Sequence, residues 1–229
     1  MENENKSPYS FLENEDIQQN FADLNISLLE GRHIQKSDSR IFHLLKSYPD
    51  ELKYYYESLY GLDLIDRKYD DESYYYLSFP PDGKGNLSQS SRHKDLSDQN
   101  TIVGIMLLNI YHEKYFDKDK EVTWDELIKI ITENENSDMY KKLFFNDIRE
   151  NYDYSELNKF YEKIRRTLKE FQKLGWISGD LPQISNTEIE IQEGFKFRIN
   201  VSINRFATLY EYEISNFDEF VEKYRKKSY

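Results

Sequence analysis

Apolar positions along the first third of the chain change period twice, and each change marks an element. In IQQNFADLNISLL, residues 17–29, Ile17, Phe21, Leu24 and Leu28 recur at helical spacing and Gly31 ends the segment. His33-Ile34 reads as a very short strand. Ser37 or Asp38 is placed to cap a helix through SRIFHLLKSY, with Ile41, Leu44 and Leu45 on its buried side and Pro49 closing it. A third helix runs through DELKYYYESLYG and stops at Gly61. Its spacing sends Leu52, Tyr55, Tyr56 and Leu59 inward and Tyr54 outward. LDLIDRKY, a turn at DDE, and YYYLSF then follow as two extended runs in hairpin order. Helix, short strand, helix, helix, strand, turn, strand is the winged-helix plan, with the hairpin as wing.

PPDGKGNLSQSSRHKD, residues 80–95, is rich in Pro, Gly and Ser and reads as a linker. The plan then restarts. SDQNTIVGIMLLNIYHEKYF is apolar nearly all round its centre, the mark of a buried helix. KEVTW is a short strand, and Thr123 with Glu126 forms a capping-box pattern opening DELIKIITE. SDMYKKLFFNDIRENY reads as an extra, inserted helix. In SELNKFYEKIRRTLKEFQKLG, Leu157, Phe160, Tyr161, Ile164, Leu168 and Phe171 share one face of a 3.6-residue wheel. TEIEIQEGFKFRINV alternates with period two on both sides of Glu193-Gly194 and predicts a second wing. Two short helices close the chain.

The expected architecture is therefore α+β and mainly helical: two tandem winged-helix domains, each with a small β-hairpin wing, plus C-terminal helices. The boundaries expected are a flexible N-terminus at 1–15, a first domain at 16–81, a linker at 82–96, a second domain with an inserted helix at 97–205, and C-terminal helices at 206–229.

Composition supports a folded chain. The 229 residues are 38% hydrophobic with a mean hydropathy of -0.86, yet 20 Tyr and 14 Phe add apolar area, because tyrosine buries its ring and keeps its hydroxyl wet. The absence of cysteine excludes disulfides and thiolate metal sites and suits a reducing compartment. No run of 18 apolar residues and no apolar leader is present, so the expectation is a cytoplasmic protein without membrane contact. A net charge of -12 opposes a polyanion unless cations gather on one face.

No catalytic pattern survives inspection, so no catalytic, cofactor or metal residue is expected. His112-Glu113 has no second histidine four residues on, which removes the zinc-protease pattern, and a structural or surface role is expected for His33, His43, His93 and His112 alike. Gly83-Lys84-Gly85 lacks the phosphate-loop frame, and eight glycines in all leave no dinucleotide fingerprint.

Charge separates the two groove-type helices. The first carries Asp50, Glu51, Lys53 and Glu57 outside, a face that opposes phosphate. In the second, Lys159, Lys163, Arg166 and Lys173 lie opposite the apolar stripe, with Arg165 and Lys169 at its margin. Glu162 interrupts the stripe and is placed to pair with Arg166 at i,i+4. These four cations, joined by Lys84, Arg92 and Lys94 of the linker, are the candidate DNA contacts; the competing reading is a solvated helix face laced with ion pairs. Among the tyrosines, Tyr54 and Tyr75 are the candidates for an exposed partner interface, the other rings being read as packing.

The set EGRHIQKSD (30–38), YYYESLYGLDLIDRKYDDESYYYLSF (54–79), TIVGIMLLNIYHEKYF (101–116), VTWDELIKII (122–131), FQKLGWI (171–177) and INRFATLYEYEI (203–214) resembles the kleisin-interacting subunits of bacterial condensins. Within these the chain looks most like the MksE family, relatives of MukE and of the equivalent subunit of Wadjet anti-plasmid systems. The resemblance spans about residues 17–220 and rests on the order of the segments, not on a chemical motif. It implies a non-catalytic homodimer in the cytoplasm, associated with the nucleoid. Such a subunit binds a kleisin (MksF-like) and through it an SMC-like ATPase (MksB-like), touches DNA indirectly or weakly, and serves chromosome organisation and segregation or plasmid defence. The alternative is a winged-helix transcription regulator that reads DNA with the basic face of residues 155–173.

Overall fold

A computed structural model of the chain describes residues 7–81, 83, 85–87, 95–134, 137–181 and 195–227. The fold is mainly helical α+β, with two small three-stranded antiparallel sheets. Contacts divide it into two units, 1–95 and 96–229.

In the first unit a 3-10 turn, Ser10–Glu13, precedes α1 (Glu15–Leu29), β1 (Ile34–Gln35), α2 (Ser39–Ser47), α3 (Pro49–Tyr60), β2 (Asp63–Tyr69) and β3 (Glu72–Ser78). Instead of a frayed start, the turn buries Phe11 against Phe21, Tyr48 and Tyr55, because that ring completes an aromatic cluster. Asp38 precedes α2 but does not cap it. Its carboxylate accepts from the Gln35 backbone N–H at 3.2 Å and from Arg32 at 2.7 Å, fixing the turn between β1 and α2. Pro49 does more than close α2: it occupies the first turn of α3, where its missing N–H costs nothing. Gly61 ends α3 in the left-handed region at φ 62°, as its sequence position predicts.

The sheet order is β1-β3-β2. Asp70 at φ 51° begins the two-residue turn that joins Tyr69 to Glu72. Register decides the tyrosine run. Tyr75 lies opposite Ile34 on one side and Asp66 on the other, and it joins Leu24, Leu45, Leu52, Tyr56 and Leu64 in the core. Tyr74 and Tyr76 take the other face, where they stack 6.0 Å apart with the His33 ring 5.2 Å from Tyr76. All three rings are buried, at 5%, 4% and 8% exposure. Alternation sorted them by face correctly, but both faces of β3 are covered. On α3 the stripe runs through Leu52, Tyr56 and Tyr60, so Leu59 is half exposed at 50% rather than inward.

The second unit comprises α4 (Asp98–Glu113), β4 (Glu121–Thr123), α5 (Trp124–Glu133), α6 (Ser137–Phe145), α7 (Tyr154–Lys173), β5 (Ile177–Ser178) and β6 (Lys196–Ile199). A 3-10 turn, Val201–Asn204, leads to α8 (Arg205–Leu209), α9 (Glu211–Ser215) and α10 (Phe217–Lys227). Its sheet order, β4-β6-β5, repeats the first–third–second order of the other unit. Helix α4 is buried from Thr101 to Leu108, as an all-round apolar helix must be. Gly104 admits the Phe206 ring against its backbone, and Phe206 in turn packs on Trp176 at 4.6 Å and Phe171 at 5.9 Å, which ties the C-terminal helices to this unit.

Only half of the expected capping box forms at α5. Thr123 accepts from the Glu126 backbone N–H at 3.2 Å, but the Glu126 carboxylate pairs with Lys114 at 2.7 Å instead of reaching back. A reciprocal box does form at α7, between Asp153 and Glu156. Of the expected second wing, residues 182–194 lie outside the described residues. Strand β6 keeps the predicted alternation, with Phe197 and Ile199 buried and Lys196 exposed.

Candidate functional site

Helix α7 is amphipathic, so its apolar stripe fixes where its charges go. Phe160, Ile164, Leu168 and Phe171 are buried, and Trp124 packs edge-on to Tyr161 at 4.7 Å. Lys159, Lys163, Arg166 and Lys173 are consequently exposed along the opposite side. Glu162 pairs with Arg166 at 3.1 Å, the i,i+4 pair read from the sequence. Lys159 and Lys163 have no ion-pair partner among the described residues. Arg165 is not part of this surface: it is 5% exposed and lies beside Tyr161. Lys84, Arg92 and Lys94, the expected reinforcement, lie outside the described residues, as does His93.

Helix α3 of the first unit presents the opposite sign. Asp50, Glu51, Lys53, Tyr54 and Glu57 are exposed along it. Tyr54 is 45% exposed with its ring 5.8 Å from Tyr9, consistent with an available surface aromatic. Tyr75 is corrected: at 4% exposure it is a core residue. Lys46 lies 5.4 Å over its ring, and burial pushes its hydroxyl pKa up.

A cleft of about 450 Å³ opens on the second unit, lined by Met106, Asn109, Ile110 and Glu113 of α4, Ile130 and Glu133 of α5, Asn134, and Tyr140 of α6. Tyr140 is buried, and burial, reinforced by the Glu113 charge, holds its hydroxyl at about 12. A tyrosine that stays protonated beside a carboxylate at neutral pH offers a donor, not a base, so the cleft suits docking better than proton abstraction. The histidines are dispersed. His33 is buried, while His43 and His112 are exposed on different units. Among the described residues, no three His, Asp or Glu side chains are grouped to hold a metal ion, and no helix is long and apolar enough to cross a membrane.

Two helix-and-sheet units of like order, each with one charged helix face turned to solvent, define a two-unit, mainly helical α+β protein whose prominent features are surfaces. The family model for condensin complex protein MksE matches residues 19–211, most of the chain. The protein belongs to that family of condensin-complex proteins. No curated protein matches it.

Proposed function

We propose that the protein is a non-catalytic accessory subunit of a bacterial condensin-like SMC complex. The family match over residues 19–211 carries this reading. Each unit is then a winged helix, at 16–81 and 97–205 with 82–96 between them. The shared first–third–second sheet order supports that plan, as does the position of α3 and α7 as the last helix before the final two strands of each unit's sheet. The subunit acts as a homodimer in the cytoplasm, at the nucleoid. It grips an MksF-like kleisin and through it an MksB-like SMC ATPase, in chromosome organisation and segregation or in plasmid defence. Tyr54 and the acidic face of α3 are the surface offered to protein. Co-expression with the neighbouring genes, followed by pull-down, tests the proposal: a stoichiometric complex with a kleisin, weakened by Tyr54→Ala, is expected. A kleisin that does not co-purify overturns it.

One observation favours a second reading for α7. Four cations on a chain of net charge -12 share one exposed helix face, the arrangement that contacts a phosphate backbone. In this reading the second unit touches DNA without base specificity, or, as a regulator, reads sequence with the same face.

A further inference from the structure

Two helices of the second unit end in a carboxylate at the same cleft. Glu113 is the last residue of α4 and Glu133 the last of α5, and both line it. A helix C-terminus already carries the negative end of the backbone dipole, so a cation is favoured there and a carboxylate is not. Lys114, the residue after α4, does not relieve Glu113: it pairs with Glu126 at 2.7 Å and with Asp117 at 3.6 Å. Neither Glu113 nor Glu133 is in an ion pair among the described residues, and no lysine, arginine or histidine is among the described lining residues. The cleft therefore gathers two carboxylates and two negative helix ends without a balancing charge.

Tyr140 points to a ligand independently. It stands on α6, is 3% exposed and lines the same cleft, yet its hydroxyl has no hydrogen-bond partner among the described residues. Buried polar groups are hydrogen-bonded as a rule, so a phenol left open toward a cleft marks where the polar group of a ligand belongs. Burial and the Glu113 charge hold this hydroxyl protonated, leaving it an O–H for a carboxylate and a lone pair for an incoming N–H. Asn109, exposed on α4, adds a side-chain carbonyl. Met106 and Ile110 are buried beneath, which leaves polar side chains as most of the surface offered.

Acceptors of this kind select a ligand that is positive and rich in N–H donors. Among the described residues no three His, Asp or Glu side chains are grouped, too few for a dedicated metal cage, so the fitting cation is organic. About 450 Å³ is in the size range of small-molecule sites. Carboxylates on two separate helices match two ammonium groups on one chain.

We propose that this cleft binds a small aliphatic diammonium ion of the polyamine class. One ammonium lies at Glu113 and the Tyr140 hydroxyl, the other at Glu133, with the methylene chain against Ile130. Isothermal titration calorimetry of the full chain with 1,4-diaminobutane, at fixed ionic strength, tests it. Saturable binding is expected, and n-butylamine, the same stem with one ammonium, should bind about tenfold more weakly. Glu113→Gln and Glu133→Gln should each weaken binding about tenfold, as loss of a charge-assisted hydrogen bond does. Tyr140→Phe should weaken it about threefold or more. Both glutamates are exposed, so the two glutamine variants should melt as the wild type does without ligand. Glu51→Gln, on the acidic face of α3, should leave binding unchanged. Absence of binding, an equal loss in Glu51→Gln, or displacement of the diamine by an equal concentration of magnesium ions each overturns the site, the last two as diffuse counter-ion attraction. Nα-acetyl-lysine methylamide binding as tightly as the diamine also overturns it, and assigns the cleft to a lysine side chain of a protein. The titration needs no kleisin, so its outcome is read apart from the proposed function.

Discussion

The backbone N–H of Asn86 donates to the carbonyl of Tyr60 at 2.8 Å, so residues that read as linker cap the C-terminus of α3. The Asn86 side chain adds contacts to the Ser58 and Leu59 carbonyls, each at 3.5 Å. These are helix-end acceptors with no intrahelical donor, and the capping fixes where the acidic α3 face ends. Gly85 makes the approach possible. It sits at φ +59°, and a Cβ there would stand 2.5 Å from both the Tyr60 and Gly61 carbonyl oxygens. Gly85→Ala is expected to destabilise the first unit by about 1–3 kcal/mol, from backbone strain and the clash together. Urea unfolding of the variant beside Gly83→Ala, where a Cβ meets nothing within 4 Å, checks it.

Gly104 leaves no room for a side chain: a Cβ there would lie 2.0 Å from Phe206 Cζ. Gly104→Ala should cost about 1–3 kcal/mol by overpacking, even though alanine is the better helix former. Phe206→Leu should cost stability alone yet partly rescue Gly104→Ala, giving a non-additive cycle by denaturant titration.

Tyr140 links stability to alkaline pH. Its hydroxyl is raised from 10.0 to about 12, by burial first and the Glu113 charge second. The folded protein thus holds this proton more tightly than the unfolded chain. The resulting stability is full below about pH 10 and is lost as pH rises through about 12. Burial also raises Tyr56 and Tyr55, so the loss is shared. Tyr140→Phe should make the fall in urea midpoint between about pH 10 and 12 shallower by close to one proton, without abolishing it.

The α7 cations distinguish phosphate contact from a merely solvated face. If the face contacts phosphate, Lys159→Ala and Lys163→Ala should each lower the salt slope of DNA binding by about 1, uniformly across sequences. Fluorescence anisotropy against salt measures this. Both variants should unfold within about 0.5 kcal/mol of wild type, since neither side chain is buried. An unchanged slope removes DNA from the reading of this helix.

Helix positions were legible because burial imposes a 3.6-residue period that chain neighbours carry by themselves. Leu24 and Leu28, Leu44 and Leu45, and Phe160 to Phe171 are buried as that period requires. The i,i+4 pair of Glu162 and Arg166 was legible for the same reason. The capping box expected at α5 is half formed, with Thr123 capping the helix. Thr123 and Glu126 have the right spacing, but Lys114, distant in sequence, draws the Glu126 carboxylate away. Arg165 looked like surface because it borders the basic stripe, while the packing beside Tyr161 buries it. Phe116 was hidden in what read as the end of a helix.

By itself the sequence determined the mainly helical α+β class, the positions of the main helices, the sign of charge on α3 and α7, and the turn at Gly61. All of these follow from contacts along one chain segment. Tertiary structure decided the rest. It covered both faces of β3, so that Tyr74, Tyr75 and Tyr76 are all buried, and it placed Asn86 on the end of α3. It also left Phe116 exposed. Alternation can state which face a residue takes, but whether that face meets water depends on segments far away in sequence, which no local period encodes.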